Sequence, residues 1–332
     1  MVKKIYMKSA LITGGLGFIG SELAKSLLKK KIVNKCIILD NFGSFISPLK
    51  SNFKDYRQQR LENVKNIIIE RGDANNEQIT LKLLQKYKPE FIYHTAALPL
   101  AKIENLNAKE ASIGSVDATR NILESLVFVK NNRSNYNFKR FVYFSSSMIY
   151  GDFKTKIVNE TSSANPKEIY GTMKLAGEVI TKGLSNYYNI PYTIIRPSAV
   201  YGPKDMNQRV SQIFINKAIN GSNINVHGKT ERLDFTYIDD LVNGVILAST
   251  RKNGINNTFN ITNGKGRFLF EFVSILKKYF PKIKFTIKNR DKFRPKRGTL
   301  SIKKATKLIG YKPKTTLEKG IYKYLKFLKV IK

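Results

Sequence analysis

A short apolar stretch, Ala10-Leu11-Ile12, runs into Thr13-Gly14-Gly15-Leu16-Gly17-Phe18-Ile19-Gly20 and then into a segment with helical spacing. Glycines at 14, 17 and 20 allow a strand to turn sharply into a helix through backbone angles that a side chain forbids. They also let a pyrophosphate approach the backbone, where a helix N-terminus offers free N–H groups and the positive end of its dipole. The context supports this use of the run. A strand precedes it, and an amphipathic helix follows, with Leu23, Leu27 and Leu28 on one face. Asp40 ends the next apolar run, Cys36-Ile37-Ile38-Leu39, 20 residues after Gly20. A carboxylate there can accept hydrogen bonds from an adenosine ribose. The alternative, a glycine-rich turn with no ligand, explains none of these three features.

Apolar runs at 9–13, 36–40, 67–70, 90–94, 139–145 and 192–196 read as short buried strands, and helical patterns at 18–31, 76–87, 109–129 and 170–189 alternate with them. This is the pattern of an α/β, doubly wound parallel Rossmann sheet, whose ligand crevice lies at the strand C-terminal ends. Residues 44–64 form a polar insertion dotted with aromatics. Beyond 197 helices are expected at 208–220, 268–280, 301–309 and 317–330. Short strands are expected at 223–227 and 283–288. The stretch 236–250 reads as helix from its start, with Asp239 and Asp240 in its first turn, and a strand at 257–261 returns to the main sheet. The expected division is a dinucleotide-binding domain over 1–197 that also receives about 233–262. A smaller substrate-binding lobe is assembled from 198–232 and 263–332.

Composition narrows the class. The 332 residues are 42% hydrophobic, enough for a sizeable core, and no apolar run approaches the roughly 18 residues of a membrane span. No signal-peptide pattern opens the chain. The single cysteine, Cys36, falls in an expected buried strand, which excludes an internal disulfide and makes a cytoplasmic location the expectation. Two histidines and one cysteine argue against a His/Cys metal site, and none is expected. The formal charge of +35 is spread along the chain and densest over 281–332, with 18 Lys or Arg against Asp291 and Glu318. No nucleic-acid-binding motif accompanies it, so no nucleic-acid partner is expected.

Tyr170 and Lys174, four apart on an expected helix, share a face. An ammonium beside a phenol favours the phenolate, so Lys174 is expected to lower the pKa of Tyr170 and fit it for proton transfer at a hydroxyl. Ser146, in Phe144-Ser145-Ser146-Ser147-Met148-Ile149-Tyr150-Gly151, lies 24 residues upstream of Tyr170 at an expected strand end. Its hydroxyl can hydrogen-bond the same substrate oxygen.

With these residues in place the chain resembles the extended short-chain dehydrogenase/reductase family, in its nucleotide-sugar epimerase/dehydratase branch, over nearly its whole length. The matching pieces, in family order, are TGGLGFIG (13–20), LDNF (39–42), GDA (72–74), HTAA (94–97), SSSMIYG (145–151), YGTMK (170–174), RPSAVYGP (196–203), LDFTYIDD (233–240) and RGTLSIKKATKLIGYKP (297–313). The resemblance implies NAD as cofactor. Gly14, Gly17 and Gly20, with Phe18 and Ile19, would hold its pyrophosphate. Asp40, with Asn41, would hold the adenosine ribose and repel a 2′-phosphate. Asp73 and Ala74 would meet the adenine, Ala96 and Ala97 would line the trough, and Pro197 would pack near the nicotinamide. Tyr170 would be the acid/base and Lys174 would bond the nicotinamide ribose. Ser146 and Ser147 would meet the sugar, and Arg209, Arg232 and Arg297 would clamp a nucleotide diphosphate through bidentate contacts.

The implied reaction is epimerisation of a nucleotide-diphosphate sugar at C4 through a transient keto-sugar and hydride return. The alternatives are dehydration or decarboxylation, or net reduction, within the same family; a non-enzymatic dinucleotide sensor ranks last. Hexose 4,6-dehydratases carry an Asp-Glu pair where this chain has Ser147 and Met148, which favours epimerase. Other departures are Ser115 in place of a common Asn, Leu233 where many relatives carry an arginine, and the absence of the usual proline-containing pattern over 98–112. The resemblance also implies a homodimer formed through the 109–129 and 170–189 helices.

Overall fold

The computed structural model describes residues 8–43, 55–97, 107–132, 136–291 and 294–331. In chain order the first half contains β1 (Ser9–Thr13), α1 (Phe18–Lys29), β2 (Lys35–Asp40), α2 (Arg57–Leu61), β3 (Ile67–Arg71), α3 (Glu77–Tyr87), β4 (Phe91–His94), α4 (Ala108–Ser112), α5 (Ala118–Asn131) and β5 (Arg140–Phe144). Then come β6 (Ile157–Val158), α6 (Ile169–Tyr187), β7 (Tyr192–Arg196), β8 (Val200–Tyr201), α7 (Val210–Ile219), β9 (Ile224–His227), β10 (Arg232–Asp234), β11 (Thr236–Tyr237), α8 (Ile238–Thr250) and β12 (Asn257–Asn260). The chain closes with β13 (Gly266–Phe268), α9 (Leu269–Lys277), β14 (Phe285–Lys288), β15 (Thr299–Leu300), α10 (Lys303–Ile309) and α11 (Leu317–Phe327).

Seven strands form one parallel sheet in the order β12-β7-β5-β4-β1-β2-β3. Both faces of a parallel sheet are covered by helices, so its strands read as continuous apolar runs. The alternation inside those runs divides the core. Ala10 and Ile12 of β1, with Cys36 and Ile38 of β2, join Leu23 and Leu27 of α1 and Val245 of α8 on one face. Leu11, Ile37 and Leu39 join Leu84 of α3 and Ile122 and Leu126 of α5 on the other. The register Ala10↔Cys36 and Ala10↔Phe91 brings the C-terminal ends of β1, β2 and β4 level, and a crevice opens above them.

The expected strand at 257–261 is β12, bonded to β7 at the sheet edge. The remaining strands make two-stranded pieces, β10 with β13, β11 with β8, β14 with β9 and β15 with β6, most too short to show periodicity in the sequence. Two helices depart from expectation. The stretch 236–250 is not helical from its start, because Thr236 and Tyr237 pair with Val200 and Tyr201 as β11 and α8 begins only at Ile238. The 109–129 pattern is broken by a π turn over 113–117, between α4 and α5, with Ser115 buried inside it. Part of the 44–64 insertion (44–54) and most of the atypical 98–112 segment (98–106) lie outside the described residues.

Candidate active site

A cleft of about 1050 Å3 runs along the sheet's C-terminal edge. The glycine-rich turn forms its floor. Gly14 has φ +66°, and a Cβ on it would stand 2.8 Å from the Ala96 backbone, so only glycine lets the turn lie against the β4 end. Gly17 is the N-cap of α1 and offers no side-chain cap, so the first-turn N–H groups of the helix are left for another acceptor. Gly17, Phe18 and Ile19 line the cleft there. This is a cradle for an anion, as a dinucleotide pyrophosphate requires. Gly20 does not line the cleft. A Cβ on it would lie 2.7 Å from the Gly14 carbonyl oxygen, so a glycine there lets α1 pack closely on the turn.

Asp40, at the end of β2, accepts hydrogen bonds from the Leu16 and Phe42 backbone N–H groups at 3.0 and 2.9 Å. Its carboxylate is thereby fixed at the rim beside the turn. Asn41 Nδ2 donates to Asp73 Oδ2 at 3.0 Å, and Asp73 Oδ1 accepts from Asn75 N at 2.8 Å, which orients the second carboxylate in the same wall. Ala74, Ala96 and Ala97 line the trough between the walls, and Pro197 closes its inner end. Small apolar side chains leave a flat slot there, and the two carboxylates mark its outer end. The residues fit a dinucleotide.

Ser146, Tyr170 and Lys174 converge at the inner end. Ser146 caps a short 3-10 turn over 147–150, its Oγ accepting from Met148 N at 3.1 Å. Tyr170 and Lys174 stand on the first turns of α6, whose N-cap Glu168 accepts from Gly171 N at 3.1 Å. A Cβ at Gly171 would approach the Met148 carbonyl oxygen to 2.8 Å, so this glycine lets the start of α6 dock on the turn that carries Ser146. The Ser146 hydroxyl lines the cleft beside the Tyr170 phenol and draws its pKa down. Lys174 is 2% exposed, and its Nζ donates to the Phe144 carbonyl at 2.6 Å and lies 5.9 Å from the Tyr170 ring centre.

The electrostatics differ from the sequence expectation. Burial raises the Tyr170 phenol above its usual range. Arg209 and, more weakly, the Ser146 hydroxyl pull it down, while Glu168 opposes them. Burial pushes the Lys174 ammonium down to about 7, against the pull of Glu178. At about 7 the Lys174 ammonium is only partly charged at neutral pH, because the sheet that buries it also strips it of water. Arg209, at the N-cap of α7 with Nη1 on the Val200 carbonyl at 3.3 Å, is a cation that pulls on Tyr170.

The outer part of the cleft is arginine-rich. Arg232 lies 3.8 Å over the Phe268 ring centre. Arg297 makes no side-chain hydrogen bond or ion pair among the described residues; burial and neighbouring Arg294 push it down to about 10, against Glu231 and Glu168. It remains charged at neutral pH and lines the cleft. Ser147 also lines this wall.

Two residues passed over in the sequence shape the site. His94 Nδ1 lies 2.7 Å from Thr13 Oγ1 beneath the trough, and burial with Lys174 nearby pushes it down to about 3, so it is neutral. Arg60, also buried, donates from Nη1 to the Leu16 carbonyl at 2.7 Å and from Nε to the Lys204 carbonyl at 3.2 Å. It ties the glycine-rich turn to the loop that leads to Arg209. No sequence signal marks it, because it lies in a polar insertion without periodicity. Among the described residues no cluster of three His, Cys, Asp or Glu could hold a metal, and no helix is long and apolar enough to cross a membrane.

Known proteins share this arrangement. The model of the NAD dependent epimerase/dehydratase family matches residues 10–262. An uncharacterised UDP-glucose epimerase of Bacillus subtilis is 28% identical over 96% of this chain and 97% of its own length. UDP-glucuronate 4-epimerase 4 of Arabidopsis thaliana is 28% identical over 96% of this chain and 75% of its own. The crystal structure of UDP-glucuronic acid 4-epimerase from Bacillus cereus, in complex with UDP-glucuronic acid and NAD, superposes with a TM-score of 0.85 at 28% identity, covering 97% of this chain and 99% of that one. With the dinucleotide cradle, the Ser146-Tyr170-Lys174 cluster and a family match over most of its length, the chain belongs to the NAD-dependent epimerase/dehydratase family.

Proposed function

We propose that this protein epimerises a nucleoside-diphosphate sugar at C4, using NAD that is reduced and reoxidised in place. One observation carries the choice among family reactions. The wall beside Ser146 holds Ser147 and the buried Met148, and neither can serve as the acid or base that loss of water from the sugar requires.

NAD, when bound, accepts hydride from the sugar carbon and returns it. Tyr170 takes the proton of the C4 hydroxyl on its phenol oxygen and gives it back after the sugar has turned. Ser146 holds the same hydroxyl oxygen in line with Tyr170, and Lys174 fixes the ribose end of the trough. Arg232 and Arg297 present planar guanidinium groups to the diphosphate, which anchors the nucleotide while the sugar rotates. Gly14, Gly17, Phe18 and Ile19 hold the dinucleotide pyrophosphate, and Asp40 and Asp73 hold its adenosine.

A homodimer through α5 and α6 fits the apolar side chains these helices leave exposed: Phe128 on α5, and Val179 and Tyr187 on α6. Sedimentation of the purified protein tests it. A cytoplasmic location accords with a lone, buried Cys36.

The deciding experiment offers UDP-glucose and UDP-glucuronate, with GDP-, CDP- and dTDP-sugars, and follows C4 inversion by NMR. Inversion without steady NADH accumulation is expected, and Tyr170→Phe should lower kcat by about a thousandfold, within the usual worth of a positioned acid/base. Full activity in that variant, or continuous NADH production, refutes the reading.

A further inference from the structure

Beneath the cleft lies a buried polar network that none of the steps above uses. Glu178 follows Lys174 by one turn of α6 and is 1% exposed. Both its oxygens are taken by Arg196 at the end of β7, Nε to Oε1 at 2.8 Å and Nη2 to Oε2 at 2.7 Å. Arg196 Nη1 in turn donates to Tyr150 Oη at 2.8 Å and to the Glu160 carbonyl at 3.1 Å. The Tyr150 hydroxyl donates to Asn260 Oδ1 on β12 at 2.8 Å. Arg196, Glu178 and Tyr150 do not line the cleft.

The two arms of Arg196 end on the two elements that carry the proton-transfer groups. One arm grips α6, which bears Tyr170 and Lys174. The other grips Tyr150, the last residue of the 3-10 turn that Ser146 caps. The turn and the helix otherwise meet through van der Waals contacts, where Gly171 meets the Met148 carbonyl and where Leu175 packs on the cluster of Ile149 and Tyr150. A buried ion pair is seldom a better source of stability than apolar residues of the same volume, so its retention here calls for a gain in geometry. Proton transfer depends on that geometry, since reacting atoms displaced by an ångström lose much of their rate.

We infer that Arg196 is a positioning residue, which sets the Ser146 hydroxyl against the Tyr170 phenol by holding Tyr150 with one arm and Glu178 with the other. The inference rests on the assignment of Ser146 and Tyr170 as the proton-transfer pair. Its test uses Tyr150→Phe, which removes one hydroxyl, and Glu178→Gln, which keeps shape and removes charge. Each variant lowers kcat at least fivefold, for whichever UDP-sugar the wild type turns over, with KM within twofold. The double variant falls no further than the worse single one, because both act through Arg196. Unchanged kcat in both, a loss confined to KM, or losses that multiply in the double variant overturns the inference. In nucleotide-free protein, hydrogen exchange at the Met148 amide, which donates to Ser146 Oγ, rises at least tenfold in both variants, while amides of α1 keep their wild-type rates; an unchanged Met148 rate also overturns it. Tyr170→Phe, run alongside, separates the two claims. Full activity there defeats the catalytic assignment, whereas an inactive Tyr170→Phe beside fully active Tyr150→Phe and Glu178→Gln defeats the positioning role alone.

Discussion

Lys174 costs stability in exchange for its place in the site, and the cost has a pH signature. In the unfolded chain its ammonium titrates at the ordinary lysine value of 10.5, and in the folded protein burial brings it to about 7. At 1.36 kcal/mol per pKa unit, the interval corresponds to about 5 kcal/mol against the charged form in the native state. The sign follows from proton counts. Between pH 7 and 10.5 the unfolded chain holds the proton and the native state has released it, so wild-type stability rises with pH in that window. Below pH 7 both states hold the proton and the full cost is present. Lys174→Met removes the group while filling similar space. It leaves the Phe144 carbonyl without its donor, a loss of about 1–3 kcal/mol. Nucleotide-free Lys174→Met should therefore exceed wild type by about 2–4 kcal/mol at pH 6. By pH 9, two pH units above the native-state value, about 3 kcal/mol of that advantage is gone. Urea unfolding of both proteins at pH 6, 7.5 and 9 measures the difference by linear extrapolation. The general repulsion of a chain with charge +35 changes with pH in both proteins and cancels between them. A difference constant across the three pH values, or one that grows with pH, refutes the assignment of a desolvated ammonium at 174.

Gly14→Ala places a Cβ 2.8 Å from the Ala96 backbone at φ +66°, so it should cost about 3 kcal/mol in urea unfolding and strip NAD from the purified protein, read by absorbance after denaturation. Asp40→Asn removes the carboxylate that repels a 2′-phosphate, so the ratio of NADP to NAD affinity, measured by calorimetry, should rise at least tenfold; an unchanged ratio places cofactor choice elsewhere. Arg209→Met removes a cation that lowers the Tyr170 pKa, so the phenolate forms at higher pH and the acid limb of the kcat profile should move to higher pH. A stationary limb with lower kcat would assign Arg209 to substrate binding alone.

The parts of the site visible in the sequence are those in which a local backbone demand fixes the residue type. Gly14 is required by its own φ and by the β4 end beside it, and Asp40 by the strand it terminates. Such requirements leave a spacing that can be read. The strands from 9 to 196 were legible because burial on both sheet faces leaves continuous apolar runs, with no polar alternation to confuse them with helix. The π turn at 113–117 was not legible, since its residues keep helical spacing and only the packing around buried Ser115 marks the break. Nor was the relation between Lys174 and Tyr170. Their spacing places them on one face, but solvation decides the charge, and burial is a property of the sheet beneath them. Arg60, Glu178 and Arg196 show the same limit: each acts through a partner 18 or more residues away in sequence.

These long-range partners give the site a single mechanical logic. Tyr170 needs a permanent positive charge to form a phenolate against the cost of burial, and Lys174, near 7, does not supply a permanent one. A guanidinium keeps its charge in partly buried surroundings and is the better source. Arg209 provides it from the loop that follows β8, outside the parallel sheet. That loop is held to the glycine-rich turn by Arg60, which bonds the Lys204 carbonyl at one end and the Leu16 carbonyl at the other. The peptide of Leu16 also gives its N–H to Asp40. Asp40, the glycine-rich turn and the loop that leads to Arg209 are thus joined by three consecutive hydrogen-bonded links, which run outside the parallel sheet.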